Sequence, residues 1–415
     1  MKNLKGACLF GQSGGPTSVI NASAAGVFLE AMKHDQITDI YGAVHGIRGI
    51  LEENLVDIRQ EDIKELEYLK NTPSSALGSV RYKLKPLSAD ETDYIRILEV
   101  FKKYNIRYFF YNGGNDSMDT CNKISKYLQS KKYDCNVIGV PKTIDNDLVG
   151  TDHCPGYGSA AKYIATAIME LYLDTHVYDT GLIIVAEIMG RNAGWLTAAA
   201  SLASIKGLGP DLIYLPEQAF DIVEFIADVK KVAARKNNKV MVAVSEGIRD
   251  KEGKYISEYS TSLQRDAFGH ASLGGAAAVL AGIIGEATKI KVRPIEFSLL
   301  QRCAAHIASG TDIEEAFTAG QMAVKYAVEG HTDKMVAFIR DETSAKYKIN
   351  YELVSVDQAA NAEKKIPNEW IKAGHVGLTD DFYHYALPLI QGASNSPMED
   401  GLPRFARLKK ISAKK

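Results

Sequence analysis

The segment Tyr108-Phe109-Phe110-Tyr111-Asn112-Gly113-Gly114-Asn115-Asp116-Ser117-Met118 passes from a continuous apolar run through two glycines into a stretch of helical period. A continuous apolar run is typical of a strand that helices cover on both faces of a parallel sheet. The segment Phe10-Gly11-Gln12-Ser13-Gly14-Gly15-Pro16-Thr17 repeats this design near the amino terminus. Together the two segments predict units of strand, glycine-rich turn and helix, which build an α/β fold.

Apolar runs and helical segments alternate along most of the chain, and this alternation predicts βαβ units around mostly parallel sheets. We predict strands at Gly6–Phe10, Tyr108–Tyr111, Val137–Val140, Leu182–Ile188, Asp211–Leu215, Val240–Ser245 and Met335–Ile339. We predict helices at Val19–Met32, Met118–Leu128, Ala160–Leu173, Ala193–Leu202, Ile222–Arg235 and Ile313–Ala327.

Length and composition bound the class of protein. A chain of 415 residues exceeds the size at which one hydrophobic core stops growing, so we expect two or more domains, or two α/β lobes that share a cleft. The formal net charge is only -2, so no overall field attracts nucleic acid or a membrane surface, and any anion site must be local.

The cysteines and the amino-terminal sequence predict a cytoplasmic protein. The five cysteines are scattered and form no CxxC pair, so they predict neither a disulfide framework nor a cysteine zinc site, and a reducing cytoplasm fits. The first ten residues leave no room for the apolar region of a signal peptide. The small-apolar stretch 274–285 is too short to span a bilayer.

The two glycine-rich turns are candidate phosphate sites. Glycines such as Gly14, Gly15 and Gly114 let the backbone approach a ligand, and the helix that follows each turn offers free N–H groups. Turns at the carboxyl ends of parallel strands converge on one crevice, where open α/β sheets bind ligands. The alternatives are purely structural turns, or a helix cap supplied by Asp116 or Ser117.

The sharpest motif is Pro141-Lys142-Thr143-Ile144-Asp145-Asn146-Asp147, directly after the predicted strand Val137–Val140. Its two carboxylates, its lysine and its threonine offer a base, a metal-binding or orienting group, a cation and a hydroxyl. The alternative is a plain turn whose charges are solvated.

The strings GGPTSVIN, LGSVRY, GGNDS, PKTIDND, EIMGR, SEG and LLQR occur in this order between residues 14 and 302. In this combination the chain resembles the phosphofructokinase family. The resemblance implies a two-lobed α/β enzyme, each lobe a mostly parallel sheet flanked by helices, with the active site in the cleft. Residues 1–150 would form the donor lobe, 151–330 the sugar-phosphate lobe, and 331–415 a segment that packs on both lobes.

The resemblance also implies roles on the donor side. Gly14, Gly15, Gly114 and Arg81 would hold the phosphates of the donor. Asp145 would be the catalytic base that takes the proton from the C1 hydroxyl of fructose 6-phosphate. The cofactor implied is Mg²⁺, and the candidate ligands are Asn115, Asp116 and Asp147. ATP-dependent members carry aspartate at the position of Asn115, so the protein ligand of the metal stays open.

The sugar side is implied in the same way. Arg293 and Arg302 would clamp the 6-phosphate, because the planar guanidinium fork suits phosphate. The alternative for these arginines is an exposed salt bridge. The alternative for Met189 is packing in the core. The substrate-binding set implied by the resemblance is Thr143, Asp145, Met189, Gly190, Arg191, Glu246, Arg293, Gln301 and Arg302.

Two positions bear on the donor. ATP-dependent members carry glycine where this chain has Asp116 and Lys142, whereas the pyrophosphate-dependent branch carries these two residues. Aspartate adds bulk and like charge where the α-phosphate of a nucleotide would lie, and lysine supplies a cation to a donor without an adenosine anchor. Asp145, Lys142, Asp116 and Asp147 thus form the candidate catalytic set.

The reaction implied is reversible phosphoryl transfer from pyrophosphate to fructose 6-phosphate, in glycolysis or gluconeogenesis, by a cytoplasmic homo-oligomer. One alternative is a kinase of the same fold that uses ATP or acts on sedoheptulose 7-phosphate. Another alternative is a catalytically silent regulatory subunit that binds sugar phosphate.

Overall fold

The computed structural model describes residues 4–259, 275–360 and 362–414. The strands are β1 Gly6–Gln12, β2 Ile37–Ala43, β3 Leu55–Asp57, β4 Ile106–Gly113, β5 Asn136–Pro141, β6 Leu182–Ile188, β7 Leu212–Tyr214, β8 Lys239–Ser245, β9 Val292–Glu296, β10 Lys334–Arg340, β11 Ile349–Ser355, β12 Met398–Glu399 and β13 Leu402–Pro403.

The helices have the following bounds. They are α1 Ile20–Ala31, α2 Ile47–Leu51, α3 Ile63–Tyr68, α4 Thr92–Lys103, α5 Asn115–Ser130, α6 Tyr157–Thr175, α7 Trp195–Ala199, α8 Ile222–Arg235, α9 Ala276–Thr288, α10 Leu300–Cys303, α11 Gly310–Val328, α12 Val356–Ala360 and α13 Asp380–Ala386.

The first sheet has seven strands in the order β11-β10-β5-β4-β1-β2-β3. The five inner strands pair in parallel, and β11 and β3 are antiparallel strands at the two edges. Strands β1 and β5 are buried along their whole length. Their continuous apolar sequences follow from this position, because helices cover both faces of the sheet.

The second sheet has four parallel strands in the order β7-β8-β6-β9. Helices α6 and α7 contribute to the core on one face, and α8 and α9 contribute to the core on the other face. The α/β architecture with two mostly parallel sheets that the sequence predicted is therefore confirmed.

The predicted strands and helices are all present, with two shortened. The strand predicted at Asp211–Leu215 spans only Leu212–Tyr214. The helix predicted at Ala193–Leu202 is the short α7, which continues as a 3-10 turn from Ala200 to Lys206.

Several elements escaped prediction, and β9 shows why. Its sequence Val292-Arg293-Pro294-Ile295-Glu296 is largely exposed, and a proline within a strand is tolerated at a sheet edge. The sequence therefore lacks both the apolar run and the alternation that indicate a strand. Strand β2 and helices α4 and α9 were not predicted either.

Helix α11 returns from the second sheet and packs along α1 beside the first sheet. A Cβ atom on Gly26 would lie 2.0 Å from the carbonyl oxygen of Phe317, and one on Gly320 would lie 2.1 Å from that of Ser23. Only glycine at these positions allows so close an approach of the two helices. The chain then adds β10 and β11 to the first sheet.

The division into 1–150, 151–330 and 331–415 stays a prediction. Since α11 packs on α1 and β10 pairs with β5, we propose that the first lobe also includes residues 310–355. The remaining carboxyl-terminal residues contact both lobes. Phe382 joins the core around α6, whereas the N–H of Ala413 donates to the carbonyl of Leu55 at 2.8 Å. Among the described residues, no helix is long and apolar enough to cross a membrane.

A buried ion network ties the segment after β5 to α11. His153 is 1% exposed; its Nδ1 lies 2.8 Å from Asp152 Oδ1 and its Nε2 lies 2.7 Å from Glu315 Oε2. Burial alone would lower the pKa of His153, but the carboxylates of Glu315 and Asp152 raise it to about 9. The imidazolium is therefore the form that the folded chain stabilises.

We expect this network to make stability depend on pH. Because folding raises the pKa of His153, its contribution is fully present below the ordinary histidine pKa and is lost as pH rises through about 9. The free energy of unfolding of the unmodified chain should fall by on the order of 1–3 kcal/mol more than that of His153→Gln over this range. Urea unfolding at pH 6.5 and pH 9 measures the difference, and equal losses would contradict the assignment.

Candidate active site

The three glycine-rich or charged motifs lie side by side at the carboxyl ends of strands in the first sheet. They follow β1, β4 and β5, which are neighbouring parallel strands. Gln12 pairs with Asn112, and Gly113 pairs with Pro141, so the strands end at the same level. Parallel pairing in this register brings all three turns to one crevice, as the sequence predicted.

The carboxyl ends of the second sheet face the same crevice. Met189 and Arg191 follow β6, Glu246 follows β8, and Arg302 lies on α10 after β9. Together the two sheets enclose a cavity of about 910 Å³. Its wall includes the predicted residues Gly14, Gly15, Arg81, Gly114, Asn115, Asp116, Lys142, Thr143, Asp145, Asp147, Met189, Arg191, Glu246 and Arg302.

The first glycine turn holds a buried cation against its backbone. The Nζ atom of Lys142 donates to the carbonyl oxygen of Gly15 at 2.8 Å, and Lys142 is 3% exposed. Gly14 has a φ of 74°, and a Cβ atom there would lie 3.2 Å from Nζ of Lys142. A Cβ atom on Gly15 would lie 3.0 Å from Nη1 of Arg302. Both glycines therefore leave room for cations, and side chains here would crowd them.

Residues 79–83 lie against this turn and extend the cavity wall. The hydroxyl of Ser79 donates to the carbonyl of Gly14 at 2.5 Å, and the N–H of Gly14 donates to the carbonyl of Val80 at 3.4 Å. Arg81 and Lys83 are exposed side chains on this wall. The wall of the first lobe thus carries two cations at the cavity mouth.

The second glycine turn leads directly into α5. Gly114 is the residue before the helix, and no side chain caps it, so the alternative that Asp116 or Ser117 is the cap is wrong. The side chain of Asp116 is 87% exposed, and its Oδ1 lies 3.7 Å from Nζ of Lys83. This carboxylate is therefore available at the cavity mouth.

Asn115 points toward the third motif. Its Nδ2 donates to Oδ2 of Asp147 at 3.2 Å. Its Oδ1 atom is buried and has no hydrogen-bond partner among the described residues. An unpaired buried acceptor is costly, so this oxygen is suited to a ligand that the chain itself does not supply.

The carboxylates of the third motif have perturbed affinities for protons. Burial raises the pKa of Asp145, and the nearby Lys142 ammonium opposes that shift. Burial and the charge of Asp145 together raise the pKa of Asp147 to about 7. Burial lowers the pKa of Lys142 to about 8, although both carboxylates oppose this change. Strongly perturbed groups in a cleft are a mark of functional sites.

Thr143 orients the first of these carboxylates. Its Oγ1 accepts from the backbone N–H of Asp145 at 3.1 Å and donates to Oδ2 of the same residue at 3.4 Å. The carboxylate of Asp145 is therefore held within the turn while it faces the cavity.

The sugar-side wall places the carboxyl of Glu246 near two arginines, Arg191 and Arg302. Burial raises the pKa of Glu246 to about 7, and its Oε1 accepts from the N–H of Gly190 at 3.3 Å. Burial, with the nearby Arg81, lowers the pKa of Arg302. No carboxylate of the described chain forms a salt bridge with Arg302, so the alternative of an exposed ion pair does not hold for it.

Three predicted residues lie outside the cavity wall. Gly190 lies behind it, and Gln301 is 1% exposed and accepts from the N–H of Met189 at 3.2 Å. Gln301 therefore supports the wall instead of forming it. Arg293 is exposed on the edge strand β9 and does not line the cavity of its own chain.

Sequence reasoning missed the part of the wall that comes from the carboxyl-terminal segment. Ala360, Ala362 and Glu363 line the cavity, and Nδ2 of Asn192 donates to Oε1 of Glu363 at 2.9 Å. No glycine turn or strand end marks these residues. The sole signal was the adjacency of Asn192 to the predicted Arg191.

The arrangement suits transfer of an anionic group. Cations from both lobes, namely Lys142, Arg191 and Arg302, act on the buried carboxylate of Asp145. Positioned cations stabilise charge on a moving phosphoryl group. A cavity lined by these groups suits phosphorylated ligands.

Comparison with known proteins gives an independent line of evidence. The phosphofructokinase family pattern matches residues 8–327. The pyrophosphate–fructose 6-phosphate 1-phosphotransferase of Halomonas elongata is 42% identical over 405 residues, 97% of this chain and 96% of that protein. The protein of the same name from Methylococcus capsulatus is 42% identical over 410 residues, 98% of this chain and 96% of that protein.

A solved structure agrees with the sequence relatives. The pyrophosphate-dependent phosphofructokinase from Nitrosospira multiformis aligns with a TM-score of 0.89 and 40% identity, covering 99% of this chain and 98% of that chain. Since the family match and the relatives span nearly all of the cavity residues, the chain belongs to the phosphofructokinase family.

Proposed function

We propose that this chain is a phosphotransferase that moves a phosphoryl group from pyrophosphate to the C1 hydroxyl of fructose 6-phosphate, giving fructose 1,6-bisphosphate and phosphate. The observation that carries the proposal is the buried Lys142 ammonium, which lies between the first glycine turn and Asp145. Several relatives at about two-fifths identity carry this activity in their names, which supports it.

The reaction would run in both directions, because the bonds broken and formed are closer in energy than when ATP is the donor. It would serve glycolysis or gluconeogenesis, and we expect the cytoplasm as its compartment.

Asp145 would take the proton from the C1 hydroxyl. Its pKa is raised by burial, and Lys142, Arg191 and Arg302 act against that shift. A general base works best when its pKa lies near the working pH while its charged form remains available. Burial shifts the pKa of Asp145 upward, toward the working pH, and the three cations favour its charged form.

The donor would lie against Gly14, Gly15 and Gly114, whose backbones allow close approach. Lys142 would stabilise charge on the phosphoryl group in transfer, and Arg81 would contact the leaving phosphate. The exposed carboxylate of Asp116 would oppose a nucleotide, whose extra phosphate would meet its charge.

Mg²⁺ fits the residues between the second and third motifs. The unpartnered Oδ1 of Asn115 and the carboxylate of Asp147 are oxygen ligands of the kind this ion prefers. Asp116, the third candidate, lies at the cavity mouth near Lys83. When bound, the ion would neutralise the oxygens of pyrophosphate.

The sugar phosphate would occupy the side of the second sheet. Arg302 would bind the 6-phosphate with its planar fork, and Arg191, Met189 and Glu246 would contact the sugar. Gly190 and Gln301 would act indirectly, since they hold Glu246 and Met189 in place.

Arg293 would serve a second copy of the chain. It is exposed on β9, an edge strand of the second sheet, and Leu299 and Leu300 nearby are 54% and 60% exposed. Exposed apolar side chains beside an unpaired strand edge favour an interface between subunits. We therefore propose a homo-oligomer in which Arg293 reaches the sugar phosphate of a neighbouring subunit.

A donor panel tests the proposed function directly. Purified protein with Mg²⁺ and fructose 6-phosphate should turn over pyrophosphate much faster than ATP or other nucleotides. Omission of fructose 6-phosphate should abolish release of phosphate. Preference for ATP would overturn the donor, and pyrophosphate hydrolysis without sugar would overturn the transfer reaction.

Asp145→Asn should lower kcat about 10²–10⁴-fold and change KM for fructose 6-phosphate only a few-fold, since the amide keeps the shape but cannot accept the proton. Steady-state kinetics in the forward direction measure both constants. A variant with near-normal kcat would show that another group is the base.

Arg302→Ala should weaken fructose 6-phosphate binding about ten- to a hundredfold, because a charge-assisted hydrogen bond contributes roughly 1.5–3 kcal/mol. Arg293→Ala should do the same only if subunits assemble. Arg107→Ala is the control, since Arg107 is the second residue of β4, at the end of that strand away from the cavity, and donates to Asn105 and Asp134. Titration calorimetry with unchanged affinity for Arg302→Ala would refute the assignment.

Substitutions at the donor positions should change donor use. Lys142→Gly should lower kcat with pyrophosphate by raising the activation barrier about 2.7–4 kcal/mol. This is the usual cost of removing a hydrogen-bond donor to a developing oxyanion. Asp116→Gly should lower pyrophosphate activity and permit weak use of ATP. The two effects should be non-additive, because both residues would face one donor.

Asp119→Gly is the matched control for these donor variants. It places glycine in the same helix α5, but Asp119 pairs with Lys123 and does not line the cavity. Steady-state kinetics with pyrophosphate and with ATP measure the donor use of each variant. Undiminished pyrophosphate turnover in Lys142→Gly would exclude the role proposed for the ammonium.

A further inference from the structure

A hairpin in the carboxyl-terminal segment brings a histidine to the surface of the second lobe. Ile371 and Leu378 pair as an antiparallel bridge, and the N–H of Lys372 donates to the carbonyl of Gly377 at 3.0 Å. His375 lies at the tip of this hairpin. Its ring stacks on Tyr214 of β7, with centroids 4.3 Å apart and an interplanar angle of 26°.

Two carboxylates of α8 meet this histidine. Glu224 and Asp228 are four residues apart, so they share one face of the helix. One ligand atom from each of Glu224, Asp228 and His375 lies within 4.8 Å of the others. The hydroxyl of Tyr214 donates to Oδ2 of Asp228 at 3.1 Å, which fixes that carboxylate beside the imidazole.

The groups of this cluster are poorly satisfied by the chain itself. Nδ1 of His375 is buried and has no hydrogen-bond partner in the described parts of the chain. Within the same parts, no lysine or arginine forms a salt bridge with Glu224 or Asp228. Lys251 instead pairs with Asp221, the residue before the helix. The imidazole of His375, one of whose ring nitrogens has no partner, thus lies beside two carboxylates that form no salt bridge in the described parts of the chain.

We propose that Glu224, Asp228 and His375 bind a divalent transition-metal ion of the Zn²⁺ type. Ligand atoms of a tetrahedral zinc ion are about 3.3–3.6 Å apart, since zinc bonds to nitrogen and carboxylate oxygen are about 2.0–2.2 Å long. The spacing of the cluster therefore needs only small rotations of its side chains. Water would complete the coordination.

The imidazole selects the class of metal. Mg²⁺ takes oxygen ligands almost alone, whereas imidazole suits zinc, copper, iron and nickel. None of the three residues lines the active cavity, so this ion would be separate from the metal of phosphoryl transfer. Bound there, it would fasten the tip of the hairpin to α8.

Zinc titration of the chelator-treated protein tests the proposal. Calorimetry without phosphate donors should give a Zn²⁺ site that His375→Ala and Asp228→Asn each weaken roughly tenfold or more. His331→Ala is the matched control, because His331 is a partly exposed histidine with one carboxylate, Glu329, at 3.9 Å. Circular dichroism should show unchanged folding in all variants.

Cobalt gives a spectroscopic check on the ligands. Co²⁺ bound to the unmodified protein should give visible absorption bands that His375→Ala changes and that His331→Ala leaves as they are. Zinc binding that persists in both His375→Ala and Asp228→Asn would overturn the proposal. So would binding lost only in Asp147→Asn, which would locate the ion in the active cavity, or no binding at protein-stoichiometric zinc.

Discussion

The contact between the Lys142 ammonium and the carbonyl of Gly15, at 2.8 Å, constrains the whole donor side of the site. A buried ammonium is costly unless it is hydrogen-bonded and near negative charge, and Lys142 is 3% exposed. The turn after β1 supplies the carbonyl, and the carboxylates after β5 supply the charge. Glycine is favoured at position 14, because its φ of 74° strains other residues and a Cβ atom would lie 3.2 Å from the ammonium. One buried charge therefore fixes the relative positions of two strand-end turns.

The second sheet completes the balance of charge around that lysine. Burial raises the pKa of Asp145, and the cations that oppose it come from both lobes, Lys142 from the first and Arg191 and Arg302 from the second. Cations of both lobes therefore oppose the effect of burial on the pKa of this base. Glu246 adds negative charge on the sugar side, so the arginines there are not left as an uncompensated cluster.

The local sequence was enough to predict the buried strands and the glycine-rich turns, because neighbouring residues along the chain determine these elements. Buried parallel strands need apolar runs, and turns that approach phosphates need glycine, so the βαβ units and the residues after β1, β4 and β5 could be predicted. Strand β9 could not, because an exposed edge strand has no apolar pattern. The packing of α11 against α1, which depends on Gly26 and Gly320, could not be predicted either. A glycine in a helix does not indicate which other helix packs against it.

The carboxyl-terminal part of the cavity wall escaped prediction for a different reason. The N–H of Lys364 donates to the carbonyl of Asp147 at 2.8 Å, and the indole N–H of Trp195 donates to the carbonyl of Lys364 at 2.9 Å. These bonds join the loop after β5 in the first lobe to α7 in the second, and they use the backbone of residue 364. Almost every residue type has the same backbone N–H and carbonyl groups, so a backbone hydrogen bond does not require a particular residue at that position. The contact that holds the two halves of the site together therefore leaves no motif, although the positions of Asp147 and Asn192 depend on it.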